Sequence, residues 1–145
     1  MNKKQIDNFI NKHSPISTIC RYIPYNKTLK FEYTASATYL KKINGGIINL
    51  VRKTFMYQTD IYQKVCLLHE IGHLAKPNGY EYEAQLWAIT YATSKKWIKI
   101  TKILINELLR WDLDFKWNEA AGNYRRYIIA SKKFKKRFKM YLTCI

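Results

Sequence analysis

Residues 65–75 read Val65-Cys66-Leu67-Leu68-His69-Glu70-Ile71-Gly72-His73-Leu74-Ala75. The run is apolar on nearly every side except at His69, Glu70 and His73. That pattern predicts a buried helix, because an amphipathic surface helix would carry polar residues along one whole face. Polar side chains inside such a helix need partners. On a helix, positions i and i+4 lie one above the other, so His69 and His73 share a face and can close on one ion. The spacing is H-E-x-x-H, in which two imidazoles bind zinc and the glutamate serves as general base. The chain has only three histidines, so a coincidental match is expected roughly 0.003 times.

A catalytic zinc takes three protein ligands and leaves a fourth position open. No histidine follows His73, so the third ligand is expected from a carboxylate. Pro77-Asn78-Gly79 ends the helix. The next segment, Tyr80-Glu81-Tyr82-Glu83-Ala84-Gln85-Leu86-Trp87-Ala88, offers two acids. If it is helical, Glu81 shares a stripe with Ala84 and Ala88, whose small side chains allow a close helix approach. Glu83 lies about 200° away around the axis. Glu81 is therefore favoured as ligand, with Glu83 as runner-up and otherwise a solvated carboxylate near the helix N-terminus. Cys66 falls on the stripe of Glu70 and His73, and is read as a packing residue.

Outward from this core, residues 3–13 place Ile6, Phe9, Ile10 and His13 at helical spacing before Ser14-Pro15. Residues 17–52 are short β-branched and aromatic runs divided by Pro24-Tyr25-Asn26 and Asn44-Gly45-Gly46. Three or four strands are expected, near 18–23, 29–35 and 47–52. The strand Gly46–Arg52, nearest in sequence to the zinc helix, is a candidate to hold an extended peptide. Asp60 with Gln63 is expected to cap the helix to Ala75. Further helices are expected at about 80–93, 96–111 and 118–142, with a break at Trp111-Asp112-Leu113-Asp114. The fold class is thus α+β: an N-terminal helix, a small sheet, then helices, in a single domain over 1–145.

The composition restricts partners and compartment. The 145 residues carry 26 Lys and Arg against 10 Asp and Glu, a formal charge of +16. Cys20, Cys66 and Cys144 form no C-x-x-C pair, which argues against a disulfide framework and a cysteine zinc ribbon. No secretory leader and no span of 18 apolar residues is visible, so a reduced, cytoplasmic setting is expected and a membrane partner is not. After Glu119 there is no acid, while Arg125, Arg126, Lys132, Lys133, Lys135, Lys136, Arg137 and Lys139 surround an aromatic stripe. That basic helix is either a nucleic-acid contact or a solvated face.

His69-Glu70-Ile71-Gly72-His73, a short turn, then Glu81-x-Glu83-Ala84-x-x-Trp87-Ala88 resembles the ImmA/IrrE metallopeptidases, closely over residues 65–88. The resemblance implies zinc held by His69, His73 and Glu81, with Glu70 as base. It also implies a gluzincin-like protease of phage or mobile elements that cuts a protein partner such as a DNA-bound repressor. The competing expectation is a nucleic-acid-binding protein on a peptidase-like scaffold, with a structural or lost metal.

Overall fold

The computed structural model describes residues 1–24 and 34–114, with Lys132, Lys136 and Arg137; from 109 to 114 only the backbone is described. The chain divides into two compact units, Met1–Ala88 and Ile89–Ile145, taken separately below.

The first unit opens with α1 (Lys3–His13). Asn2 accepts from the Gln5 N–H while the Gln5 side chain accepts from the Asn2 N–H, a reciprocal capping box. The residues read as its apolar face, Ile6, Phe9, Ile10 and His13, are the buried ones. Three strands follow: β1 (Ser17–Ile23), β2 (Ala35–Leu40) and β3 (Gly45–Val51), in the spatial order β1-β3-β2. β3 pairs parallel with β1, Ser17 opposite Gly45, and antiparallel with β2, Leu40 opposite Gly45. A 3-10 turn at Lys41–Ile43 joins β2 to β3, and Asn44 takes the left-handed conformation there with φ 46°. Tyr39 Oη donates to Asn44 Oδ1 at 2.9 Å.

The sheet differs from expectation in two places. The middle strand was expected near 29–35. β2 begins at Ala35, and residues 29–33 lie outside the described residues. Its sequence, Ala-Ser-Ala-Thr-Tyr-Leu, is poor in strand-forming types, but β2 packs against the helix Asp60–Ala75, where small residues fit. β3 was offered as a peptide-holding strand. It is the central strand, with ladders on both sides, so its backbone groups are already paired.

A single turn, α2 (Arg52–Phe55), buries Phe55 and leads to α3 (Asp60–Ala75). The cap of α3 is Thr59, which accepts from the Tyr62 N–H. Asp60 and Gln63 do other work. Asp60 pairs with the Met1 amino group at 2.8 Å. Gln63, fully buried, accepts from the same amino group and donates to Phe55 O at 3.2 Å. α3 is buried on several sides, by Val65, Leu67, Leu68, Glu70, Ile71, Gly72 and Leu74, as its near-uniform apolarity requires. At Gly46 of β3 a Cβ would stand 2.6 Å from Leu74 Cδ1, so the missing side chain lets α3 settle on the sheet. Ile6, Ile10, Ile48, Leu50, Phe55, Leu67, Leu68 and Ile71 make the core.

α4 (Glu81–Ser94) contains the division between units, and α5 (Ile98–Asp114) belongs to the second. Ile100, Leu104 and Leu108 of α5 are buried, at the spacing of one helix face. The break expected at residues 111–114 is absent: α5 runs on through Asp114, because Trp-Asp-Leu-Asp holds neither proline nor glycine. The molecule is α+β. No described helix is long and apolar enough to cross a membrane. The helix expected over 118–142 lies outside the described residues apart from Lys132, Lys136 and Arg137, which are helical and exposed.

Candidate metal centre

His69 and His73 sit one turn apart on α3, with ring centroids 4.8 Å apart and planes at 86°. Glu81 reaches them from the first residue of α4. His69 Nε2 lies 3.0 Å from Glu81 Oε2, His73 Nε2 lies 3.2 Å from the same oxygen, and the two Nε2 atoms are 3.1 Å apart. Three ligating atoms thus form a near-equilateral triangle. Bonds of about 2.0–2.1 Å in a tetrahedral zinc site place ligand atoms about 3.3 Å apart, close to the edges seen here. Two imidazole nitrogens and one carboxylate oxygen are also a donor set suited to that ion. His69, His73 and Glu81 can therefore hold a metal ion, and among the described residues no fourth His, Cys, Asp or Glu joins them. Cys66 is half-buried and outside the cluster.

Two backbone features bring Glu81 to this place. The first is Gly72, inside the motif. A Cβ there would meet the carbonyl of Ala84, with the Ala84 Cα 3.0 Å away, so α3 and α4 cross backbone against side-chain-free backbone. Ala84 and Ala88 are fully buried, as the small-residue stripe required. The second is Glu83. Its Oε2 accepts from the Tyr80 N–H at 2.9 Å, capping the start of α4. That turns Glu83 away from the histidines and leaves Glu81 as the carboxylate beside them.

Gln85 is a member of the site that sequence reading passed over. It is completely buried, and its Oε1 lies 2.6 Å from His69 Nδ1. An amide oxygen only accepts, so Nδ1 carries the proton and donates; in the neutral ring the Nε2 lone pair then faces Glu81 and His73, and in the protonated ring Nε2–H donates to Glu81. The signal was present: Gln85 is one turn beyond Glu81 and polar within an otherwise apolar run.

The electrostatics follow from the geometry. Burial lowers the pKa of His69, but the Glu81 hydrogen bond, with the charges of Glu70 and Glu81 and the Gln85 bond, outweighs it, and the net shift is upward. Hydrogen bonds from His69 and then His73 hold the Glu81 carboxyl far below the usual range. Glu70, 8 % exposed, is pushed up by burial, against the pull of both histidines. The Glu81 side chain is half exposed, so the triangle of donor atoms is open to solvent on that side.

Of the basic residues singled out near the C-terminus, Lys132, Lys136 and Arg137 are exposed, while Arg125, Arg126, Lys133, Lys135 and Lys139 lie outside the described residues. Compared with protein-family models, with curated proteins and with solved structures, the chain gives no match.

Proposed function

We propose that the chain is a zinc-dependent metallopeptidase of the ImmA/IrrE type. The observation that carries this reading is the convergence of His69 Nε2, His73 Nε2 and Glu81 Oε2 on one point open to solvent, with Glu70 buried beside it on the same helix. Zinc bound there would act as a Lewis acid and bring the pKa of a bound water toward about 7. His69 and His73 hold the ion as neutral ligands, and Gln85 keeps His69 in the required tautomer. Glu81 supplies the negative charge. Glu70 accepts the proton of the attacking water and returns it to the departing amine. Its burial raises its proton affinity above that of an ordinary carboxylate, the direction a general base needs. The substrate is a protein, and the chain's charge of +16 suits one bound to nucleic acid, such as a DNA-bound repressor.

The test compares wild-type chain with Glu70→Gln, after zinc loading, on a library of quenched fluorogenic peptides. The variant keeps the shape and hydrogen bonding of the acid but cannot take the proton. Zinc should remain near one per chain, while turnover drops by about 10²-fold or more. Equal turnover in the two proteins, or failure of either to retain zinc, would remove the reading.

A further inference from the structure

Residues 95–102 read Lys95-Lys96-Trp97-Ile98-Lys99-Ile100-Thr101-Lys102 and form the corner between α4 and α5, inside the unit Ile89–Ile145. Lys95, Lys96 and Lys99 are exposed and Lys102 is half-buried. Lys99 and Lys102, three apart on α5, share a face. No acid stands between Glu83 and Glu107 in the sequence. Among the described residues none of these four ammonium groups is ion-paired.

The turn itself holds one of these charges at a conformational cost. Trp97 N–H donates to Ala92 O and Lys96 N–H to Thr93 O, each at 3.0 Å. This is the Schellman closure of a helix end, whose left-handed residue is usually glycine. Here it is Lys96, with φ 59°, a conformation that a side chain disfavours. Around it lie two aromatic rings. Lys95 Nζ stands 5.4 Å over the Tyr91 ring, and the Tyr91 and Trp97 rings meet edge-on at 6.2 Å. Both rings are half-buried, and Ile98 beside them is 54 % exposed.

We propose that the α4–α5 corner is a nucleic-acid-binding surface, in which Lys95, Lys96, Lys99 and Lys102 neutralise phosphates while Tyr91 and Trp97 offer ring surface to unpaired bases. Ammonium groups spaced along a backbone-tracking surface, interleaved with aromatic rings, are what sequence-tolerant single-strand binding requires. An anionic membrane would attract the same lysines, but one exposed isoleucine gives little apolar surface to insert. The surface is separate in sequence from both the metal centre and the basic segment after Glu119, and the proposal stands without the peptidase reading.

The test uses the full zinc-loaded chain and a fluorescein-labelled, mixed-sequence DNA single strand of about 20 nucleotides, followed by anisotropy across a salt series. Four phosphate contacts contribute a slope of about −3 to log K against log[salt]. Replacing Lys95, Lys96, Lys99 and Lys102 by Gln should weaken binding at least about 10-fold at low salt and remove most of that slope. Zinc content should not change. Lys96→Gly gives an independent readout. It relieves the left-handed strain and deletes one charge, so thermal stability should rise while affinity falls and the slope drops by about 1. Two results would overturn the proposal. One is a corner variant that binds with the parent's affinity and slope, with all loss confined to a Lys132, Lys133, Lys135 and Lys136 to Gln variant. The other is a parent chain that ignores the oligonucleotide and binds phosphatidylserine vesicles through the corner.

Discussion

With Gln85 Oε1 2.6 Å from His69 Nδ1, the ring of His69 is held in one orientation and one tautomer. Leucine has nearly the volume of glutamine but no acceptor. In Gln85→Leu the Nδ1–H would lose its buried partner and the ring would be free to turn. Outer-shell losses of this kind cost about 10–100-fold in metal affinity. A competition titration with a chromophoric zinc chelator should show that loss, with the far-UV spectrum unchanged; an unaltered affinity would mean that packing alone orients His69. The residues of this site were unequally legible. His69, Glu70 and His73 declare themselves by spacing, and Glu81 was separable from Glu83 by helical angle and its alanine stripe. Gln85 was not, because its role depends on which imidazole nitrogen faces the second helix, and that is a tertiary fact.

At the level of elements, the crossing of α3 and α4 turns on Gly72. Replacing a helical glycine by alanine ordinarily gains about 0.5–1 kcal/mol. Here the new methyl would meet the Ala84 carbonyl, and backbone cannot rotate away as a side chain can. Overpacking in a close-packed interior costs about 1–3 kcal/mol, so the clash should win. Gly72→Ala is expected to lower the urea midpoint in chelator. It should also weaken zinc binding, because parting the helices withdraws Glu81 from the histidines. A higher midpoint would show that the helices can separate without cost. Elements with strong local signals were readable: α1 from its four buried positions, α3 and α4 from the Pro77-Asn78-Gly79 stop between them. The strand at Ala35–Leu40 was not legible, because Ala35, Ser36 and Ala37 have little strand preference of their own and lie against α3. α5 continues through residues 111–114, where a break is expected, because no proline or glycine stands there.

For the molecule as a whole, the charge is uneven. Residues 89–145 hold 14 Lys and Arg against 4 Asp and Glu, whereas residues 1–88 hold 12 against 6. The three residues that can hold a metal ion lie wholly in the less basic unit. An ion that binds only the folded chain stabilises it by about 2.7 kcal/mol when free metal stands at 100 times Kd. Chelation should therefore lower the melting temperature of the zinc-loaded chain, and added zinc should restore it. The imidazoles must be deprotonated to bind metal. His69 is moreover raised above its ordinary value by its carboxylate neighbours despite its burial. The chelation shift should accordingly be full above neutrality and shrink as the pH falls through the histidine range. A melting temperature indifferent to chelator at pH 8 would count against a metal held by these residues. The strand order carries a separate consequence, for the sequence of assembly. Among the described strands β3 is the last in the chain and the middle one of the sheet. β1 emerges first and waits for its partner, Ser17 for Gly45, while β2 meets β3 across only the short turn at 41–44. Short loops close at lower entropic cost than long ones, so the β2–β3 ribbon is the natural seed and β1 a late arrival. Leu74 finds its seat over Gly46 only once that middle strand is in place. The helix that carries both histidines thus docks on a platform whose central plank belongs to its first-formed piece.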